Sequence, residues 1–329
     1  MTKRRTMLKG CAVLVLLVAA LGAAAQTAAP LPRVVMILAG PQETAQRFKE
    51  SLLEGLRHGG QIEGRTFVLH VRYASGEAAR NAALVKEAVA ERPDVLVVAG
   101  LTGARNARNA TSTIPVVVAT SSDLADAGIV ASLARPGGNI TGVSDLADEA
   151  SVKRLELLKA ALPKASRVAL LNNPDFPATP KIETRVEAAA PALGVAVTRL
   201  HARDRASLFA AIDSLAQSRP DALLIGGDAL FVVNSRELIE RATALRVPVV
   251  HYWPGTAEQG ATLSHQADIA DNFRRAGGYV DKILRGAKPA ELPIHQPTRY
   301  ELVANTKAAR DLGLTLPESF LVRADQVIR

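Results

Sequence analysis

Nearly continuous runs of Val, Leu and Ile alternate along this chain with longer stretches in which apolar side chains return every third or fourth position. The short runs fall near residues 33 to 39, 66 to 73, 94 to 99 and 115 to 119, and again near 166 to 171, 195 to 201, 221 to 226 and 247 to 252. Uninterrupted apolar strands of this kind belong to parallel sheets covered on both faces. Between them Phe48, Leu52 and Leu56 stand at i, i+4 and i+8, and Leu84, Val85, Ala88 and Val89 form a second stripe, so these segments read as amphipathic helices. The alternation predicts an α/β fold of two doubly wound parallel-sheet lobes.

The two sets of strands are similar to each other. Arg92-Pro93-Asp94-Val95-Leu96-Val97-Val98-Ala99-Gly100 recurs as Arg219-Pro220-Asp221-Ala222-Leu223-Leu224-Ile225-Gly226-Gly227. Arg33-Val34-Val35 pairs in the same way with Arg167-Val168-Ala169, and Ile114-Pro115-Val116-Val117 with Val247-Pro248-Val249-Val250. Ordered matches at nearly constant offset indicate an internal duplication. Beyond residue 260 the chain exceeds what either half needs. Asp268 precedes a helix carrying Ile269, Phe273, Ala276, Val280 and Ile283 on one face, Gly286 ends it, and Tyr300 to Val303 reads as a further strand. Shared between the halves, these elements make a hinge of several crossing segments. The expected division is residues 31–143 plus 265–296 for the first lobe and 144–264 plus 297–329 for the second.

Residues 1 to 25 read as a cleavable export signal. Lys3, Arg4, Arg5 and Lys9 precede the apolar run from Cys11 to Leu21, and Ala23-Ala24-Ala25 offers small residues to a peptidase. The run is short for a membrane span, so a soluble periplasmic protein is expected. The Arg4-Arg5 pair fits a twin-arginine signal and an ordinary basic leader equally well, which leaves the route open. The formal charge of the whole chain is +8, and removing the leader takes half of that excess with it. No compositional argument for nucleic acid remains. Cys11 is the only cysteine, so the mature chain has no disulfide, thiolate nucleophile or cysteine metal ligand.

Ligands of open parallel sheets bind beyond the carboxyl ends of the strands, where loops enter helix N-termini with free amides. The sequence places Gly40, Gln42, Gly100, Leu101, Thr102, Thr120, Ser121, Ser122 and Asp123 there in the first lobe, and Asn173, Phe176, Gly227, Asp228, Tyr252 and Trp253 in the second. Hydroxyl, amide and backbone donors suit a carboxylate without a buried counter-charge, Asp123 or Asp228 suits an ammonium group, and the aromatics supply flat apolar area. Each has a plainer reading: Thr120 to Asp123 and Asp228 as helix caps, Gly100 and Gly227 as turn residues, Trp253 as hinge packing.

Enzyme fingerprints are missing. The chain contains no Gly-x-Gly-x-x-Gly after the first strand, no P-loop, no Gly-x-Ser-x-Gly and no His-Glu-x-x-His, so no cofactor or metal is expected. Of the six histidines, His251 and His265 are the two worth following.

Two stretches carry a resemblance to a known family: Leu133-Ala134-Arg135-Pro136-Gly137-Gly138-Asn139-Ile140-Thr141-Gly142-Val143, and the tail from Tyr279 to Pro289 continuing through Leu292 to Asn305. Over essentially the whole mature chain the protein resembles ABC-transporter substrate-binding proteins of the tryptophan-binding type, related to type 1 periplasmic binding proteins. The resemblance implies a monomeric receptor, not an enzyme, whose lobes close over a small molecule, an amino acid or related organic anion. It also implies delivery to a membrane permease driven by a cytoplasmic ATPase. A sensory receptor signalling to a membrane kinase would carry the same residues and stands as the alternative. His265 occupies a position where relatives show tyrosine, and Gly40-Pro41-Gln42-Glu43 lacks the histidines of tryptophan binders. If those positions touch ligand, the cargo differs here.

Overall fold

The computed structural model describes residues 30–120, 122–144, 147–253 and 255–329. The segment expected to be an export signal, with Cys11, and Ser121 lie outside the described residues. Strands β1 (Arg33–Leu38), β2 (Val68–Tyr73), β3 (Val95–Val98), β4 (Val116–Val118) and β5 (Ile140–Gly142) form a five-stranded sheet ordered β2-β1-β3-β4-β5, with every pair parallel. A seven-stranded sheet contains β6 (Arg167–Asn172), β7 (Ala196–His201), β8 (Ala222–Ile225), β9 (Val249–His251), β10 (Leu263–Ala267), β11 (Tyr300–Asn305) and β12 (Gln326–Ile328). Its order is β12-β11-β10-β9-β8-β6-β7, parallel except for the β10 and β11 pair. The strand orders 2-1-3-4 and 7-6-8-9 are equivalent, so the repeated sequence segments occupy repeated positions.

The helices are α1 (Gln42–His58), α2 (Ala78–Ala90), α3 (Gly100–Ala110), α4 (Ala147–Ala161), α5 (Thr179–Ala189), α6 (Arg205–Asp213), α7 (Leu215–Ser218), α8 (Ala229–Val233), α9 (Ser235–Ala244), α10 (Ile269–Leu284), α11 (Thr306–Asp311) and α12 (Glu318–Leu321). Alternation along the strands distributes them on both sheet faces. Val34, Met36 and Leu38 of β1 pack with Phe48, Leu52 and Leu56 of α1 and Phe273 and Val280 of α10. Val35 and Ile37, pointing the other way, join a core that continues through α4 into Val168 and Leu170 of β6. Ala169 and Leu171 face a third core with Leu208, Ile212 and Leu238. One hydrophobic core thus runs through both sheets.

Helix α10 follows β10 of the second sheet yet packs on α1 beside the first. A Cβ on Gly55 would stand 1.9 Å from the Arg274 carbonyl oxygen, and one on Gly277 would stand 2.2 Å from that of Leu52. The backbones are in contact at this crossing, and no larger residue fits at either position. Asp268 caps α10 by accepting from the Asp271 amide at 3.0 Å, as its position ahead of the apolar stripe predicts. Crossing segments pair with each other: Ser144 N donates to His295 O and His295 N to Gly142 O, both at 2.9 Å.

Strands β5, β10 and β12 were not expected from the hydrophobic pattern. β5 and β12 have three residues each. β10 reads Leu-Ser-His-Gln-Ala, but all five residues are buried because β9 and β11 flank it. Among the described residues no helix is long and apolar enough to cross a membrane.

Candidate functional site

The carboxyl ends of β1, β3 and β4 face those of β6, β8 and β9 across a cavity of about 510 Å³. From the first sheet, Gly40, Gly100, Leu101, Thr102, Thr120 and Ser122 reach its wall. From the second come Asn173, Phe176, Gly227, Asp228, Tyr252 and Trp253. Gly100, at φ +78°, makes the turn from β3 into α3, and its amide donates to Thr120 O at 2.7 Å, tying two of these loops together. Ala99 precedes helix α3 and offers no side-chain cap, so the first-turn amides and the Thr102 hydroxyl form an electropositive end on the cavity.

Three expected residues are not brought to this wall. Gln42 is the first residue of α1 and lies outside the lining. Asp123 turns back on its own chain, its Oδ1 accepting from the amides of Ala125 at 2.8 Å and Asp126 at 3.0 Å. His265 sits inside the second sheet, 8% exposed, with its ring stacked on Tyr300 at 5.5 Å between centroids.

Asp228 is a helix cap that also stands on the cavity wall. Its Oδ1 caps α8 through the Leu230 amide at 2.8 Å, while the residue lines the cavity. Burial raises its pKa, a hydrogen bond to Asn173 opposes that, and Asp175 reinforces it. Tyr252 donates its hydroxyl to the Asp228 backbone oxygen at 2.8 Å. Trp253, carried by the second sheet, meets Phe48 of α1 edge-on at 5.6 Å, and Phe48 stacks on Phe273 of α10 at 5.0 Å. Trp253 packs against the first core from the opposite lobe and also lines the cavity.

Several wall residues were missed. Phe48 and Phe273 were read as core. Gln266 lies on the unexpected β10. Arg154 interrupts the buried stripe Ala150, Ser151, Leu155 and Leu158 of α4. A basic residue in the apolar face of the first helix after the crossover was the available signal. The guanidinium donates to Ser151 Oγ at 2.7 Å and to His265 O at 3.3 Å. Burial, with Arg154 next, lowers the pKa of His251 to about 3, and the same two causes lower that of His265 to about 4.

The lobes touch at the mouth of the cleft. A Cβ on Gly76, which follows β2, would stand 2.8 Å from Cγ2 of Val233 at the end of α8. Lys181 of α5 forms an ion pair with Asp126 of the opposite lobe. Among the described residues no group of three or more His, Cys, Asp or Glu side chains is placed to hold a metal ion.

Known proteins share this fold. A conserved domain protein from Vibrio cholerae superposes with a TM-score of 0.84 at 27% identity, covering 90% of this chain and 99% of that one. An ABC domain from Streptococcus pneumonia, crystallised in complex with L-Trp, gives a TM-score of 0.84 at 24% identity over 91% of this chain and 100% of its own. A tyrosine-binding protein of Clostridioides difficile is 23% identical over 271 residues, 81% of this chain and 76% of that protein. The match to the family described as ABC transporter substrate binding protein runs over residues 33–328, and the chain belongs to that family, one of solute-binding proteins and not of enzymes.

Proposed function

We propose that this protein is the solute-capturing component of an ABC import system, closing its lobes over an amino acid and presenting it to a permease driven by a cytoplasmic ATPase. The observation that carries the reading is the cleft itself. Loops from both sheets surround it with a half-buried acid at Asp228, donors at Thr102 and the start of α3, and an aromatic wall of Phe48, Trp253 and Phe273. An ammonium group fits Asp228 and a flat apolar side chain fits the wall. The tyrosine-binding relative and the L-Trp-bound neighbour support an aromatic ligand. The His265 substitution loses its bearing on cargo, because that side chain lies outside the cleft.

Residues 1 to 25 would direct the chain to the periplasm, where it works as a monomer that meets the membrane only through its permease. In this reading the second crossing follows β10 and not residue 264, because Leu263–Ala267 is a strand of the seven-stranded sheet. The sensory alternative has no observation of its own in its favour.

Calorimetry of the mature protein against tyrosine, tryptophan, phenylalanine and aliphatic amino acids tests the reading. Saturable binding of at least one aromatic amino acid is expected. Asp228→Asn, which keeps the helix cap, should weaken it by about 30-fold or more, the effect of leaving a buried charge unpaired. No binding across the panel by folded protein would sink it.

A further inference from the structure

Strand β9 reads Val249-Val250-His251, and the histidine is as deeply buried as the valines before it. An imidazole in such a place is costly unless its nitrogens do something an apolar side chain cannot. Here Nδ1 accepts the backbone amide of Trp253 at 3.0 Å. Because an amide N–H donates, Nδ1 carries no proton, and the neutral ring has its hydrogen on Nε2. Nε2 has no hydrogen bond of full geometry, although the Phe231 backbone of α8 interacts with the ring. Burial, with the Arg154 charge next, lowers the His251 pKa to about 3, so the accepting form prevails near neutral pH.

The other end of the Trp253 backbone is held as well. Thr256, fully buried, donates its hydroxyl to the Trp253 carbonyl oxygen at 2.7 Å. Two buried side chains thus grip one residue, at its amide and at its carbonyl, beyond the point where the ladders of β9 with β8 and β10 have ended. What they fix is the direction of an indole. Trp253 is carried by the second sheet, yet its ring meets Phe48 of the first lobe at 5.6 Å and lines the cavity. A rotation of the backbone here would swing that ring off the wall. His251 itself stands behind the wall and does not line the cavity.

We propose that His251 is the positioning residue of the aromatic wall: its unprotonated Nδ1, opposed by the Thr256 hydroxyl, sets the Trp253 backbone and thereby the fit of a flat ligand side chain in the cleft. This rests on the functional reading above and adds to it a residue that touches no ligand. The imidazole is replaceable only by a side chain that brings an acceptor to the Nδ1 position. The amide oxygen of asparagine does so, whereas leucine fills the space without one.

Trp253 is the only tryptophan of the chain, so tryptophan fluorescence reports this one position. In His251→Leu the emission should move to longer wavelength and be quenched more readily by acrylamide. Calorimetry with whichever of tyrosine, tryptophan and phenylalanine wild type binds should show affinity lowered by about threefold to tenfold, the scale of one hydrogen bond. His251→Asn should keep the wild-type emission and most of the affinity. Equal losses in the two variants would mark the ring as packing alone and overturn the proposal, and so would wild-type emission and affinity in His251→Leu. Wild type decides even where a variant does not fold: a long-range ¹H–¹⁵N spectrum of the histidine rings should show the His251 proton on Nε2, and a proton on Nδ1 would overturn the proposal. That tautomer, or an unaltered His251→Leu in a protein that binds its amino acid, removes this inference alone. Binding of no amino acid by wild type removes the functional reading and this inference with it.

Discussion

His251 and His265 are both buried near Arg154, and each is held neutral well below the ordinary histidine range. As pH falls below about 6.5 the unfolded chain takes up protons on these rings, whereas the folded chain resists until about pH 3 at His251 and about pH 4 at His265. Stability is therefore fully present above that range and is lost on acidification. Each ring contributes a slope of about 1.4 kcal/mol per pH unit inside its window. Urea unfolding of wild type and His265→Asn between pH 7.5 and 5 checks this. The variant should lose less stability over that range, and parallel curves would show that His265 is not responsible. The same residue illustrates what a sequence withholds. His265 looked like a cleft residue because its neighbourhood resembles a ligand-bearing stretch, and only the pairing of β10 with β9 and β11 shows it turned into the sheet. Arg154 was hidden for the opposite reason: it stands in an apolar stripe, where position alone does not separate a core helix from the floor of a cavity.

Among the elements, those with a strong local signal were legible. Runs such as Val34 to Leu38 and Leu223 to Ile225 satisfy a parallel sheet covered on both faces, and their repetition in the sequence marks the two halves. β10 was not legible because its burial comes from its neighbours and not from its own hydrophobicity. The α1 and α10 crossing lies between these cases. The glycines are plain in the sequence, but which of two adjacent ones is needed depends on the partner backbone. Gly277→Ala would force its Cβ against the Leu52 carbonyl and should cost about 2 kcal/mol or more, as overpacking in a tight contact does. Gly278→Ala meets nothing within 4 Å and should stabilise the helix by roughly 0.5–1 kcal/mol. Thermal denaturation should move the two variants in opposite directions. A shared direction would mean that the crossing is looser than described.

For the molecule as a whole, the proposed closure of the lobes would bear on two contacts between them, Gly76 against Val233 and Lys181 with Asp126. Both residues of the ion pair are exposed, so its contribution is at most about 1 kcal/mol. Lys181→Glu replaces attraction with repulsion across the cleft mouth and should weaken ligand binding by about threefold. Adding Asp126→Lys should restore it. Small-angle scattering should show a larger unliganded particle for the single variant than for the pair, and indistinguishable profiles would remove this contact from closure.

The α1 and α10 contact also sets the order in which the protein can be completed. Gln61 donates to Asp281 across 220 residues of sequence, and the apolar face of α1 is covered by a helix near the end of the chain. As the polypeptide emerges from its amino end, Phe48, Leu52 and Leu56 have no α10 to pack against until almost everything else has been made. Joining such distant segments is slow. The first lobe to be synthesised is thus among the last to be finished, which leaves the chain extended and pliable for longer than a domain built from one continuous segment.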